Sequence, residues 1–230
     1  MLPADELMSV EPIRQRIFVV DDHPLVREWL ANLINQQRDL MVCGEAENAP
    51  QALEGIAAQK PAVAIVDLTL KDSSGMELIK DLKQLHPEVK VLALSMHDES
   101  LYAERALRSG ARGYIMKRET TGRVITAIRE VLEGKMCVSP GVSQAMAAKF
   151  ASGRPLDVTP VELLSDRELE VFEMLGQGLG TRKISEMLDV SLKTVQAYCA
   201  RAKEKMGLKN ATELLSEAIR WNETKQPGRF

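Results

Sequence analysis

Long apolar runs are missing from this 230-residue chain, and no stretch of it approaches the roughly 20 apolar residues of a membrane-spanning helix. The first residues, Met1 to Gln15, are interrupted by Asp5, Glu6 and Glu11 and lack the apolar centre of a secretory signal. Cysteine is scarce: Cys43, Cys137 and Cys199 are odd in number and match no metal-ligand spacing. Reduced thiols in a cytoplasmic protein are therefore expected, each acting as a small buried apolar side chain. Internal repeats and low-complexity segments are absent as well. A large net charge is also lacking, and the formal value of -3 says little about partners. The length suffices for two compact domains, each with its own core.

What is present begins with acids placed at the ends of apolar runs. Asp21 and Asp22 follow Arg-Ile-Phe-Val-Val, and Asp67 follows Ala-Val-Ala-Ile-Val. Short continuous apolar runs suit buried parallel strands, whose carboxyl ends open on the ligand crevice of a doubly wound sheet. All three acids then share one mouth. Two unit charges about 4 Å apart repel by roughly 4 kcal/mol at an effective dielectric near 20, so a cation must offset them. Magnesium suits the site, because it takes hard oxygen ligands and shares a few carboxylates with a phosphate. Two further strand ends carry Ser95, after Val-Leu-Ala-Leu, and Lys117, after Gly-Tyr-Ile-Met.

Taken in order, Asp21, Asp22, Asp67, Ser95 and Lys117 resemble the receiver domain of two-component response regulators, over about Arg16 to Gly134. The resemblance implies a flavodoxin-like, doubly wound α/β domain with a five-stranded parallel sheet. It makes Asp67 the phosphoacceptor, charged by a cognate histidine kinase. It makes Asp22, Asp67 and the backbone carbonyl of Thr69 ligands of Mg2+, with Asp21 acting through water. Lys117 would neutralise the phosphoryl group, Ser95 would donate to it, and Tyr114 would turn inward with Ser95; Tyr114 could equally pack on the sheet with its hydroxyl wet. One departure follows Asp67, where the usual Met-Pro is Leu70-Lys71 ahead of an unchanged spacing to Gly75.

Beyond the receiver, residues 135–161 read as a linker, with Val142 to Ala151 able to form a short helix before Gly153, Pro155 and Pro160 break the chain. Ser165-Asp166-Arg167-Glu168 is a capping box and starts a helix that ends by Gly176 to Gly180. A second helix over Thr181 to Leu188, a tight turn at Asp189 and Val190, and a basic helix from Ser191 to Met206 complete a helix-turn-helix pattern. These residues, with the words Leu-Ser-Asp-Arg-Glu-Leu-Glu-Val, Gly-Gln-Gly-Leu, Lys-Thr-Val and Lys-Met-Gly-Leu, resemble the NarL/FixJ, or LuxR-type, DNA-binding domain. A separate all-α domain is expected over residues 162–224, with tails at 1–15 and 225–230. Val195, Tyr198, Ala202 and Met206 recur at helical spacing and are expected in its core.

The opposite face offers Gln196, Ala197 and Ala200 to base edges, since glutamine can pair with adenine and alanine can touch a thymine methyl. Lys193, Thr194, Arg201, Lys203 and Lys205, with Arg182 and Lys183, fall to phosphates. Tyr198 stands where the family usually has histidine, and Ala211-Thr212 where it has Arg-Thr. A homodimer on double-stranded DNA is implied, with the last helix, Ala211 to Trp221, as its interface. The function expected is that of a cytoplasmic regulator whose phosphorylation at Asp67 controls transcription. Two other readings are a DNA-binding regulator with a degenerate switch and an adaptor that binds protein. A haloacid dehalogenase-type phosphohydrolase is disfavoured, because it needs a second acid two residues after Asp67, where Thr69 stands.

Overall fold

The computed structural model describes residues 14–70, 73–119, 121–151 and 159–225. Lys71 and most of both tails lie outside them. The chain divides into two compact units between Gln144 and Ala145.

In the first unit, strands β1 (Gln15–Val20), β2 (Leu40–Ala46), β3 (Val63–Asp67), β6 (Lys90–Ser95) and β7 (Gly113–Met116) form one sheet in the order β2-β1-β3-β6-β7. Every neighbouring pair is parallel. A short antiparallel pair, β4 (Thr69–Leu70) with β5 (Ser73–Ser74), lies between β3 and helix α3 (Gly75–Leu85). Parallel strands need crossovers, supplied by α1 (Pro24–Asn35), α2 (Ala49–Gln59), α3 and α4 (Glu99–Ser109), with α5 (Thr121–Leu132) closing the domain.

The strands are apolar on both faces because both are covered. Ile17, Val19, Ile65, Leu92 and Ile115 meet Leu30 and Ile34 of α1 and Val124 and Ile128 of α5. Phe18 points the other way and fills the space left by two glycines: a Cβ on Gly44 of β2 or Gly55 of α2 would lie 2.5 Å from its ring. Full burial of each such side chain is worth about 1.5–3 kcal/mol. Cys137 is buried and exchanges backbone hydrogen bonds with the edge strand, Tyr114 N–H to Cys137 O and Cys137 N–H to Arg112 O. Residues past Gly134 thus add to this unit. The other two thiols, Cys43 and Cys199, are half-buried rather than buried, and all three are free.

Helix α6 (Pro140–Ala151) starts two residues earlier than the sequence suggests, because the Ser139 hydroxyl accepts from the Val142 N–H. The second unit holds a 3-10 turn (Pro160–Leu163) and helices α7 (Asp166–Gly176), α8 (Thr181–Met187), α9 (Leu192–Lys205) and α10 (Ala211–Lys225). Its core includes Leu169, Phe172, Ile184, Val195, Ala202, Leu214 and Ala218, with Trp221 tilted against Phe172. Val195 and Ala202 are buried as their spacing predicts, while Tyr198 and Met206 are half-buried. Asp189 turns the chain between α8 and α9 at φ 50°, a left-handed conformation that aspartate tolerates better than most residues. No described helix is long and apolar enough to cross a membrane.

Candidate functional site

The strand order reverses at β1 and β3, and the acids stand at the carboxyl ends of these two strands, where such a sheet opens its crevice. Asp21 is 1 % exposed and Asp67 3 %. Lys117, just past β7, reaches across, with its ammonium 2.7 Å from Asp67 Oδ2 and 2.7 Å from Asp21 Oδ2. The ammonium donates to both carboxylates and pairs with both charges. The Thr69 N–H donates to Asp67 Oδ1 at 3.2 Å, and the His23 N–H to Asp21 Oδ1 at 2.9 Å.

Glycine at position 75 allows the Asp67 loop to close on α3. A Cβ there would sit 1.9 Å from the Asp67 carbonyl oxygen, and the Gly75 N–H donates to Leu68 O. Burial pushes the Asp67 carboxyl up to about 6; Lys117 opposes this and Asp21 adds to it. Burial pulls the Lys117 ammonium down, yet Asp67 and Asp21 more than offset it, and it ends above the usual lysine range. Among the described residues, the Lys117 ammonium is therefore divided between two buried acids, with Asp22 beside them.

A divalent cation fits this surplus of negative charge. Donor atoms of Asp21, Asp22, His23 and Asp67 lie within 4.8 Å of one another. Asp21 Oδ2 shares the Lys117 ammonium with Asp67, and Asp22 Oδ1 lies 2.6 Å from His23 Nδ1. Hard oxygens crowded in this way are the ligands that Mg2+ takes.

Ser95 is fully buried, and its hydroxyl accepts from the His97 N–H at 3.1 Å. The Tyr114 ring is buried too, and its hydroxyl donates to the His97 carbonyl at 2.8 Å, so the ring already points inward. No sequence motif points to His97. It touches the group through tertiary contacts, including one of 3.0 Å between its Nε2 and Thr69 Oγ1.

In the second unit, Ser165 and Glu168 close the capping box: the Ser165 N–H donates to Glu168 Oε2 at 2.8 Å and the Glu168 N–H to Ser165 Oγ at 3.4 Å. Glu168 does more than cap. It is 2 % exposed and also binds Lys205 (2.7 Å) and Arg201 (3.2 Å) of α9. Burial pushes its carboxyl up, but Lys205 and Ser165 outweigh burial and hold it below the usual range. Arg201 also lies over the Tyr198 ring, 5.0 Å from its centroid. Arg201 and Lys205, predicted from sequence to meet phosphates, are thus held from within the domain while remaining half-exposed.

Lys193, Gln196, Ala200, Arg182 and Lys183 are exposed, and Ala197 and Lys203 are half-buried. Thr194 is tied into the start of α9, where the Ser191 hydroxyl accepts from its N–H at 3.0 Å. Gln196, Ala200 and Lys203 border a groove of about 600 Å3 whose far wall includes Leu214, Leu215 and Ile219 of α10.

Comparison with known proteins matches residues 17–129 to the family described as response regulator receiver domain, and residues 162–218 to bacterial regulatory proteins, luxR family. Oxygen regulatory protein NreC of Staphylococcus aureus is 33 % identical over 210 residues, covering 89 % of this chain and 97 % of NreC. A solved two-component response regulator of the LuxR family from Aurantimonas sp. is 32 % identical, with a TM-score of 0.56, over 60 % of this chain and 99 % of its own. RcsB from Salmonella enterica serovar Typhimurium, bound to a promoter in the presence of phosphomimetic BeF3-, shares the fold with a TM-score of 0.59 at 24 % identity, over 89 % of this chain and 98 % of its own. With both matches in the expected order and a relative aligned along nearly its whole length, this chain belongs to the NarL/FixJ-type two-component response regulators, in which a receiver controls a LuxR-type DNA-binding domain.

Proposed function

We propose that Asp67 is the phosphoacceptor of this regulator and that phosphoryl transfer to it sets the DNA affinity of the helix-turn-helix unit. The observation that carries this reading is the single ammonium of Lys117, shared at 2.7 Å between Asp67 and Asp21 inside a buried pocket. With its carboxyl held near 6, Asp67 is mostly ionised at neutral pH and can act as nucleophile. One of its oxygens attacks the phosphorus of a phosphohistidine on the kinase; the P–N bond breaks and its electron pair returns to the imidazole. Lys117 then meets the oxygens of the transferred group, where positive charge is needed most. Ser95 and Tyr114 respond to the added charge as a population shift between two arrangements of the pocket.

Asp22, Asp67 and the Thr69 carbonyl would hold Mg2+ directly, with Asp21 through water. When bound, the ion would supply charge neutralisation to the phosphoryl group. The chain serves as a phosphoacceptor and not as an enzyme on outside substrates, since Thr69 stands where a hydrolase would need its second acid. We assign the receiver to residues 16–134, the tether to 135–161, with its first part, through Gln144, in the receiver's compact unit, and the DNA-binding domain to 162–224.

On DNA, Gln196, Ala197 and Ala200 read base edges in the major groove. Lys193, Thr194, Arg201, Lys203 and Lys205, with Arg182 and Lys183, position the helix on phosphates. One recognition helix covers few base pairs, so two copies bind paired half-sites. Helix α10 supplies the dimer contact, supported by Leu215 and Ile219, large apolar side chains 40 % and 39 % exposed. Acting on DNA, such a regulator would work in the cytoplasm.

The test compares binding to a pool of random duplexes for untreated protein, protein with Mg2+ and beryllofluoride, and Asp67→Ala given the same treatment. Tighter, sequence-selective binding on treatment, absent from Asp67→Ala, is expected. Equal binding in all three would overturn the switch.

A further inference from the structure

We propose that His97 is a positioning residue that ties the phosphoacceptor pocket to helix α4, through the stack of its ring on Tyr102. The proposal rests on the reading of Asp67 as phosphoacceptor and goes beyond it. His97 is held at several points. Its N–H donates to the Ser95 hydroxyl, its carbonyl accepts from the Tyr114 hydroxyl, and its Nε2 lies 3.0 Å from Thr69 Oγ1. Its ring lies parallel to that of Tyr102, with centroids 4.3 Å apart and planes at 19°. Tyr102 is buried on α4.

One residue therefore touches the end of β6, the loop after β3, β7 and α4. An imidazole has two side-chain torsions, and with its backbone and ring nitrogen engaged it has little room to move independently of these contacts. A displacement of Ser95 or of the Thr69 loop must shift the ring pair, and the ring pair is seated on α4. The same helix meets the chain on its way out of the receiver. Glu99, in the first turn of α4, accepts from the Ser139 hydroxyl at 2.6 Å, and that hydroxyl in turn accepts from the Val142 N–H of α6. The test measures the energetic coupling between these groups directly.

The full chain is assayed with and without Mg2+ and beryllofluoride, on a duplex selected from a random pool by the treated parent. Fluorine NMR reads beryllofluoride occupancy in each variant. The parent gains affinity by about tenfold on treatment, within the usual range for coupled sites. His97→Ala and Tyr102→Leu retain occupancy, but their gain falls below about twofold, and the double variant loses no more than either single one. Tyr102→Phe, which keeps the ring, responds like the parent. Two results overturn the proposal: a full gain in both His97→Ala and Tyr102→Leu, or loss of occupancy in both, which would place His97 in the pocket chemistry instead of in its coupling to α4. A parent that takes up beryllofluoride without any gain, or an Asp67→Ala variant that responds like the parent, overturns the phosphoacceptor reading itself.

Discussion

Replacing Glu168 tests whether helix α9 is held by one buried carboxylate. Truncating one partner of a buried ion pair costs about 3–5 kcal/mol, but that value does not transfer here. Lys205 and Arg201 are 40 % and 53 % exposed, so solvent screens both pairs, and each is worth closer to about 0.5–1 kcal/mol. The bond from the Ser165 amide adds about 1 kcal/mol. Glu168→Ala is thus expected to cost the second unit about 2–3 kcal/mol. Glu168→Gln, which can still accept from Ser165, is expected to cost about 1–2 kcal/mol. Urea unfolding followed by Trp221 fluorescence reads this unit, because Trp221 lies 5.5 Å from Phe172; a Trp29→Phe background silences the receiver. The pH dependence supplies a second check. The folded carboxyl lies below its ordinary value of 4.5, so its contribution is fully present above about pH 4.5 and is lost as pH falls through the lower folded value. The gap between parent and Glu168→Gln should be flat from pH 8 to 5 and shrink below that. A gap under about 0.5 kcal/mol at pH 7, or one unchanged at low pH, would refute the argument.

Four other outcomes follow from the same geometry. Mg2+ should stabilise the receiver by about 2.7 kcal/mol at a hundredfold excess over its dissociation constant; Trp29 fluorescence during urea unfolding reads it, and a shift that survives Asp22→Ala would count against the assigned ligands. Asp67→Asn should stabilise the metal-free receiver above pH 7 by up to about 3 kcal/mol. A carboxyl raised from 3.8 to about 6 opposes folding increasingly as pH climbs between those values, so the gain should vanish near pH 4, and a pH-independent gain would contradict the burial argument. Gly75→Ala should cost about 1–3 kcal/mol or more and weaken phosphorylation by a small-molecule phosphodonor, because its Cβ would meet Asp67 backbone; unchanged labelling would show that the loop can yield. Lys193→Ala should lower the slope of log affinity against log salt by about 1 across unrelated duplexes, and an unchanged slope would remove it from the phosphate contacts.

The parts of this molecule legible in sequence are those whose signal is local. Apolar runs ending in acids located β1 and β3, the serine and glutamate of the capping box located the start of α7, and a spacing of three or four residues placed Val195 and Ala202 in a core. What escaped depends on contacts between distant residues. Glu168 reads as a cap, but its bonds to Arg201 and Lys205 span 33 and 37 residues, and no local pattern announces them. His97 reaches Thr69 across 28 residues. The end of the last helix was underestimated, with α10 running to Lys225 instead of Trp221, because no helix breaker stands before Pro227. Asn210 also helps to explain why Ala211-Thr212 can open α10, since its side chain accepts from the Glu213 N–H.

Asp67 and Glu168 show why burial alone does not set the behaviour of a carboxylate. Both are nearly sealed from solvent, and burial pushes both toward the neutral form. Their partners then separate them. At Asp67, among the described residues, one ammonium is shared by two buried acids, so burial keeps the carboxyl raised and these groups carry surplus negative charge. At Glu168 two cations and a backbone amide serve one acid, so the carboxyl is lowered and the helix carries surplus positive charge. Each imbalance has the sign of its proposed ligand reversed: negative toward a divalent cation, positive toward phosphates. Adding a second cation at the first site, or a second acid at the second, would improve the internal charge balance of the isolated unit while weakening its attraction for that ligand. Stability and binding therefore pull these two carboxylates in opposite directions, and the charge ratios observed favour binding.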